Sequence, residues 1–168
     1  MKLVGGLGNP GKEYENSRHN TGRMVTEWIA DKFGGKIKFL MPDTFMNNSG
    51  RAVATLVKSK KDLKDLIVIY DDLDLPLGSF KISFNRSSGG HRGLESVIKA
   101  LRSKEFLRVR VGIAPKKKPH GEKEVIKFIL GEFKKSEMET VKKLSKKVAE
   151  AVECIFTESK GKAMSLYN

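Results

Sequence analysis

The sequence predicts a single α/β domain with a mostly parallel or mixed sheet, and three observations carry that prediction. Strand-like apolar runs alternate with helix-like apolar periodicities along all 168 residues. The run Leu66 to Tyr70 (LIVIY) is continuously apolar, which is typical of a strand covered on both faces. The length suits one domain, and neither an internal repeat nor a linker-like stretch divides it. We therefore expect one domain over residues 1–168.

In the first part of the chain, the predicted elements alternate between strand and helix. Residues 2–6 form a short apolar run closed by glycines, which predicts a buried strand. Residues 22–33 carry apolar side chains at helical spacing and are followed by two glycines, which predicts a helix and its end. Residues 37–41, which stop before a proline, predict a second strand, and residues 50–58 place apolar side chains on one face of a second helix.

After the LIVIY strand, the alternation continues. Residues 80–84 alternate between apolar and polar side chains, as a half-exposed strand does. Residues 94–101 have helical spacing, and residues 107–113 predict a strand that carries its arginines on one face. Residues 123–130 predict a helix, and a longer helix is expected from Ser136, where a Ser-x-x-Glu sequence predicts a capping box.

The charge distribution indicates an anionic partner. Lys and Arg outnumber Asp and Glu by 33 to 20, which gives a net charge of +13. Between Ser79 and Lys118 there are eleven basic and two acidic residues, so most of the excess lies in a quarter of the chain. Clustered cations gain from releasing the counterions condensed on a polyanion, so RNA, DNA or a phosphorylated ligand fits this segment.

Composition also limits the cellular setting. No apolar stretch approaches the roughly 20 residues of a membrane helix, and the N-terminal residues lack the apolar segment of a signal peptide. The single cysteine, Cys154, excludes an internal disulfide and a multi-cysteine zinc site, and it fits a reducing compartment. We expect a soluble cytoplasmic protein with no membrane partner.

A glycine-rich loop follows the first predicted strand, with Gly6, Gly8 and Gly11 at the spacing G-x-G-x-x-G. A dinucleotide-binding fold needs a helix that begins in this loop and an acid at the tip of the second strand. The residues from Pro10 onward do not read as such a helix start, and Asp31 falls among helical residues. The sequence thus disfavours a nucleotide-dependent oxidoreductase. It also contains no Walker sequence and no G-x-S-x-G elbow.

Two polar segments have the residue types for acid–base chemistry. His19 precedes the first predicted helix, and Asp71 follows the LIVIY strand at its carboxyl end, the edge of α/β sheets where ligands bind. A carboxylate can fix the tautomer of a histidine and stabilise the imidazolium that forms when the ring takes a proton. Sequence spacing does not show whether these two side chains meet. We expect the next acid, Asp72, to lie in a solvated turn that ends the strand.

Two further segments have alternative explanations. His91 lies in a glycine-rich loop that lets a ligand approach the backbone, although a lone histidine is more often structural. In residues 42–50, either Asn48 or Ser49 caps the following helix, or the segment is a binding edge. In such an edge an asparagine amide donates to a carbonyl or phosphate oxygen, and the Met and Phe side chains line the wall. No two histidines lie four residues apart, so a metal site has little support.

Five motifs follow one another along the chain: Gly6-Leu7-Gly8-Asn9-Pro10-Gly11-x-x-Tyr14, Arg18-His19-Asn20-x-Gly22, Thr44-Phe45-Met46-Asn47-x-Ser49-Gly50, Asp71-Asp72-Leu73-Asp74-Leu75-Pro76 and Gly89-Gly90-His91-x-Gly93-Leu94. Together they resemble the bacterial-type peptidyl-tRNA hydrolases. The resemblance implies an esterase that cuts the bond between a peptide's carboxyl end and the terminal ribose of tRNA, with no cofactor and no metal. It also implies a monomeric, phosphorylase/hydrolase-like fold whose mixed, mostly parallel sheet is surrounded by helices.

The resemblance assigns catalytic roles to four residues. His19 stands where the family has the general base that activates a water. Asp71 matches the acid that orients this base. Asn9 and Asn47 match the amides that hold the substrate and the oxyanion of the tetrahedral intermediate.

Other positions correspond to substrate contacts of the family. Tyr14 and Met46 match residues that line the peptide and ribose pocket, and His91 matches a histidine near the tRNA end. Lys81 and Arg110 match basic positions that grip tRNA phosphate. Both of these cations fall inside the basic segment that the charge count finds independently.

The sequence departs from the family pattern at three places. Arg92 occupies the position of a usual asparagine, and because an arginine accepts no hydrogen bond, a contact to phosphate is its alternative role. Ser83 stands where some relatives carry a phosphate-gripping lysine, and Arg108 and Lys116 are the candidates to compensate. The segment between Phe33 and Pro42 is shorter than in typical members, which should trim one edge of the sheet.

These departures suggest one alternative from a different class: a catalytically impaired RNA-binding protein of the same fold. Such a protein resembles the chloroplast splicing relatives of the family. The presence of both His19 and Asp71 favours the hydrolase.

Overall fold

A five-stranded sheet forms the centre of the computed structural model, which describes residues 1–168. The strands lie in the order β2-β1-β3-β5-β4. The neighbouring pairs β1–β2, β1–β3 and β3–β5 are parallel, whereas β4 runs antiparallel to β5. The predicted α/β domain with a mixed, mostly parallel sheet is therefore confirmed. The strands are β1 (Leu3–Gly6), β2 (Lys38–Leu40), β3 (Leu66–Pro76), β4 (Phe80–Phe84) and β5 (Leu107–Ala114).

Seven α-helices surround the sheet. Their bounds are α1 (Thr21–Ala30), α2 (Ser49–Leu56), α3 (Lys60–Lys64), α4 (Arg92–Leu101), α5 (Glu122–Leu130), α6 (Lys135–Thr157) and α7 (Lys160–Tyr167). Helices α3 and α7 were not predicted, because neither carries a clear apolar stripe. Each has a serine cap instead: Ser59 accepts the Asp62 amide, and Ser159 accepts the Lys162 amide. No helix combines the length and apolarity needed to cross a membrane.

Strand β3 separates two apolar cores, as the LIVIY run predicts. Ile67 and Ile69 pack into the larger core with the apolar stripe of α6, which includes Val141 and Val148. Leu66 and Val68 pack into the smaller core, on the other face of the sheet, together with residues of α2 and α4. Both faces of this strand are therefore covered, and its carboxyl end is the part that reaches the surface.

Two local predictions were wrong. Strand β3 continues to Pro76, so Asp72 lies within a strand and not in a solvated turn that ends it. The register with β5 shifts between Asp72 and Pro76, which bends the strand end. Helix α6 has Lys134 as its N-cap residue, and Glu137 accepts the Lys134 amide at 2.8 Å. The expected capping box from Ser136 is therefore displaced by two residues.

The two edges of the sheet differ in length and in what borders them. Strand β2 has three residues at one edge, which is the region of the shortened segment. At the other edge, the side-chain amide of Asn168 pairs with both backbone groups of Ile82 in β4. Its Oδ1 accepts the Ile82 N–H at 2.7 Å, and its Nδ2 donates to the Ile82 carbonyl at 2.9 Å. This amide thus takes the place of a neighbouring strand at that position.

Candidate active site

A cleft of about 580 Å³ opens at the carboxyl end of β3. His19, Asp71 and His91 line it together with the loop that precedes α4 and one side of α5. The carboxyl ends of parallel strands are the usual ligand-binding edge of an α/β sheet. The cleft therefore brings together side chains that lie far apart in the sequence.

His19 and Asp71 meet in a buried hydrogen bond. His19 lies on a single 3₁₀ turn, Arg18–Asn20, directly before α1, and its Nδ1 is 2.8 Å from Asp71 Oδ2. The two residues are 7% and 4% exposed. With the Nδ1 proton directed at the carboxylate, the lone pair lies on Nε2, which has no hydrogen-bond partner within the chain. The ring is thus oriented to accept a proton from a water in the cleft.

Main-chain packing sets the spacing of these two elements. Gly22, in the first turn of α1, lies directly against the backbone of β3. A Cβ at this position would be only 2.2 Å from the Ile69 carbonyl oxygen. The turn that carries His19 can therefore approach the strand that carries Asp71 only because residue 22 has no side chain.

His91 binds the second oxygen of the same carboxylate. Its Nε2 is 2.8 Å from Asp71 Oδ1, and its Nδ1 accepts the backbone N–H of Leu94 at 3.1 Å. Because Nδ1 is an acceptor, the ring proton must be on Nε2, where it donates to Asp71. The ring of His91 also packs on Tyr70, with 4.9 Å between ring centroids. Both carboxylate oxygens of Asp71 are thus held by histidines. The His91 ring that caps α4 is one of these two histidines.

The surroundings shift the pKa values of both members of the pair. Burial lowers the pKa of His19, but the charge and the hydrogen bond of Asp71 outweigh it and hold the value above the usual 6.5. Burial raises the pKa of Asp71, yet the two histidines facing it lower the value well below the usual range of a carboxyl. The positive charge of Arg92 opposes protonation of His19 and is a smaller, lowering cause. Asp71 is therefore an anion under all ordinary conditions.

The three side chains are also of the types that bind metals, with ligand atoms within 4.8 Å of one another. A metal on Nε2 of a neutral His91 would require the ring proton to sit on Nδ1. That nitrogen already accepts the Leu94 N–H, so the two hydrogens would collide. The hydrogen-bonding pattern therefore favours a proton network over a metal centre.

Asn9 lies beside the histidine pair and is fixed by three hydrogen bonds. Its backbone N–H donates to Asn20 Oδ1, and its carbonyl accepts from Asn20 Nδ2, both at 2.8 Å. Its own Oδ1 accepts the Met46 backbone N–H at 2.7 Å. The Nδ2 group of Asn9 is left as a donor, and Asn9 lines the cleft. A neutral donor in this place can bind a carbonyl oxygen or an oxyanion.

The segment before α2 forms another wall of the cleft. Met46 is buried, whereas Asn47 is exposed, lines the cleft and makes no hydrogen bond within the chain. Phe45 also lines the cleft and is 57% exposed. Tyr14 is not part of the lining, but its ring packs edge-on against Phe45 with centroids 6.5 Å apart. This wall offers an apolar surface beside one free amide.

The basic side chains predicted to contact phosphate differ in their environments. Lys81 is exposed on β4 and lies opposite Arg110 in the β4–β5 register. Arg110 itself is 6% exposed and its Nε donates to Asp72 at 2.7 Å, so its charge is paired. Arg92 has a side chain that is 68% exposed, and its Nη2 is 3.3 Å from Glu122.

Arg108 does not belong to the cationic surface. It is fully buried, and its guanidinium donates to the carbonyls of Lys104, Phe106 and Arg86. Burial lowers its pKa from the usual arginine value. This environment argues against the expected phosphate contact and indicates that Arg108 fixes the loop before α4.

Three residues of the site were missed from the sequence. Asn20, which fixes Asn9, lies inside a recognised motif, so its position next to His19 was an available signal. Tyr70 was interpreted only as strand, although it lines the cleft, and burial raises its pKa to about 12. Arg86 was counted in the basic segment but not singled out, and it also lines the cleft.

Comparisons with known proteins agree with this architecture. Residues 3–168 match a model of the family described as peptidyl-tRNA hydrolase. The chain is 42% identical over 188 aligned positions to the peptidyl-tRNA hydrolase of Thermoanaerobacter sp. (strain X514), with 100% of both chains covered. It is 43% identical over 176 positions to that of Aquifex aeolicus (strain VF5), with 92% of this chain and 88% of the relative covered.

The fold gives the same result. The crystal structure of peptidyl-tRNA hydrolase from Acinetobacter baumannii matches with a TM-score of 0.90 at 27% sequence identity, covering 100% of this chain and 94% of that chain. A sequence match over nearly the whole chain and a structural match over all of it leave no part of the architecture unaccounted for. The chain therefore belongs to the peptidyl-tRNA hydrolase family.

Proposed function

We propose that this chain hydrolyses peptidyl-tRNA with His19 as the general base. Nε2 of His19 takes a proton from a water, which attacks the ester carbonyl between the peptide and the terminal ribose. Asp71 holds the Nδ1–H tautomer and stabilises the imidazolium that forms in this step. The 2.8 Å bond between the two buried side chains is the observation that carries the proposal.

The amides of Asn9 and Asn47 are the proposed donors to the substrate. The attack places a negative charge on the former carbonyl oxygen, and a donor fixed in advance stabilises that charge without reorganising. The three hydrogen bonds that fix Asn9 support this role, because they leave only its Nδ2 group to act. Met46 and the Tyr14–Phe45 pair would then line the space for the peptide and the ribose.

We propose that the tRNA is held mainly through its phosphates, by basic side chains in and beside the cleft. Lys81 is free to make such a contact, and Arg92 can do so if phosphate displaces Glu122. Arg110 would first have to leave its ion pair with Asp72 before it could bind a phosphate. We do not extend this role to Arg108, because it is buried.

The other expectations fit this proposal. We propose that the enzyme acts as a monomer without a metal or a cofactor, since the His19–Asp71 pair itself supplies the base that activates the water. We place the enzyme in the cytoplasm, where its substrate class is produced and where the single cysteine stays reduced. The intact His19–Asp71 pair supports catalysis over the RNA-binding alternative.

Replacement of His19 by alanine tests the proposal. We expect His19→Ala to hydrolyse N-acetyl-aminoacyl-tRNA more slowly than the wild type. The rate should fall by about 10²–10⁴-fold or more, since this is what a positioned base contributes. Binding of tRNA should stay close to that of the wild type, since the phosphate contacts are elsewhere. Turnover near the wild-type rate would contradict the general-base role. If the wild type binds tRNA as well as His19→Ala does but shows no turnover, the RNA-binding alternative would be favoured.

A further inference from the structure

The cations around the cleft are not equivalent. Four basic side chains line it, and three of them face an acidic partner. Each of these pairs neutralises a charge that a substrate phosphate would otherwise meet. The pairs are Arg92 with Glu122, Arg110 with Asp72 and Lys118 with Asp74. The fourth cation, Arg86, is exposed. It has no acidic partner, and its side chain makes no hydrogen bond within the chain.

The backbone around Arg86 is held in place. Asn85 has a left-handed backbone (φ 51°), which turns the chain sharply at the end of β4. The carbonyl of Arg86 then accepts a hydrogen bond from the buried guanidinium of Arg108. Arg86 lines the same cleft as Tyr70, whose ring packs on His91. The structure thus fixes the base of a side chain whose charged end is free.

We propose that Arg86 binds a phosphodiester of the unpaired 3′ end of the tRNA, next to the ribose that carries the ester. This inference rests on the proposed function. The peptide has no free carboxylate at the scissile bond, because that carboxyl is esterified. The anions that lie closest to the ester along the substrate are therefore the phosphodiesters of the last nucleotides. The planar guanidinium of an arginine can donate two parallel hydrogen bonds to a phosphate. Because Arg86 has no ion pair within the chain, it can bind a phosphate without first breaking one.

This contact differs from the one expected of Lys81. Lys81 lies on the edge strand outside the cleft lining, so it can serve only the part of the tRNA that extends beyond the cleft. Arg86 lines the cleft itself, so its contact should persist when the substrate is shortened to its 3′ end. Substrate length therefore separates the two contributions.

The test compares three substrates that carry the same N-acetyl-aminoacyl group: full tRNA, the trinucleotide CCA and adenosine. We expect Arg86→Ala to lower kcat/KM about ten- to hundred-fold for the tRNA and the trinucleotide. The adenosine ester has no phosphodiester, so its kcat/KM should not change. Arg86→Lys, which keeps the charge but not the fork, should recover part of the loss. The matched control is Arg51→Ala, since Arg51 is an exposed arginine on α2 outside the cleft lining.

The salt dependence gives a second measurement on full tRNA. One lost contact to a single strand should reduce the slope of log K against log salt by about 0.7. An equal loss on all three substrates would overturn the phosphate assignment, and so would a wild-type slope in Arg86→Ala or a loss confined to full tRNA. A wild type that cleaves none of the substrates would count against the proposed function itself. A wild type that cleaves them, with Arg86→Ala unchanged, would count only against the Arg86 contact.

Discussion

Substitution of Asp71 by asparagine changes the shape of the catalytic pair very little and its charge completely. In the wild type, the carboxylate accepts one hydrogen bond from each histidine, with a distance of 2.8 Å on both sides. An asparagine has one acceptor and one donor in the same places. If its Nδ2 faces His19, the ring proton moves to Nε2 and the lone pair turns away from the cleft.

The expected cost follows from these contacts. A hydrogen bond to a charged group contributes about 1.5–3 kcal/mol, which corresponds to about 10- to 150-fold in rate. The wrong tautomer of His19 adds to this cost, because the base then has no lone pair for the water. We therefore expect Asp71→Asn to lower kcat/KM by about 10²–10⁴-fold.

The pH dependence should change in a defined direction. Asp71 is what raises the pKa of His19, whereas burial and the charge of Arg92 lower it. General-base catalysis needs the neutral ring, and the pKa of His19 is raised from the usual histidine value of 6.5, so we expect the acid limb of kcat/KM in the wild type to lie above that pH. Without the carboxylate only the lowering causes remain. The acid limb of Asp71→Asn should therefore lie below that of the wild type.

The assay measures initial rates on N-acetyl-aminoacyl-tRNA from about pH 5 to pH 9 for the wild type and the variant. Asp74→Asn is the control, since Asp74 lies on the same strand but is exposed and paired with Lys118. Its acid limb should coincide with that of the wild type. A lower rate with an unmoved acid limb in Asp71→Asn would refute the link between this carboxylate and the titration of His19.

Three further substitutions test other parts of the structure. Lys81→Ala should weaken tRNA binding and reduce its salt slope by about 0.9, the value for one duplex phosphate, and an unchanged slope would place the RNA surface elsewhere. Arg92→Asn removes a charge that lowers the pKa of His19, so the acid limb should move to higher pH, and a shift to lower pH would contradict this electrostatic effect. Asn168→Ala removes both hydrogen bonds to Ile82 and should lower the free energy of unfolding by about 1–2 kcal/mol in urea denaturation. An unchanged midpoint would mean that water replaces this amide at no cost.

The fold was largely predictable because its main strand is encoded locally. The LIVIY run has no polar residue that could face water, so cover on both faces is the only stable solution, and the two cores confirm it. The failures have a physical pattern as well. Asp72 reads as a solvated residue, but its partner is Arg110, which is 38 residues away and becomes a neighbour only when β3 and β5 pair.

The candidate site was predictable in residue type but not in contacts. Motif spacing pointed to His19 and Asp71, yet their bond crosses 52 residues of sequence. The place of His91 near the tRNA end stays a prediction, and its bond to the second oxygen of Asp71 was not foreseen from the sequence. Arg108 reads as a surface cation because the three carbonyls it binds come from backbone segments that carry no side-chain signal. Its burial could be found only from the folded structure.

The contact of Gly22 with β3 determines how precisely His19 and Asp71 are aligned. Side chains in a core can change rotamers and transmit small shifts to their neighbours, but a helix seated on a strand through main-chain atoms has no such freedom. The separation of the two reacting elements is thus determined by atoms that every residue shares. Substitutions that change side-chain volume in the surrounding core should therefore leave the geometry of proton transfer unchanged, provided that residue 22 stays glycine.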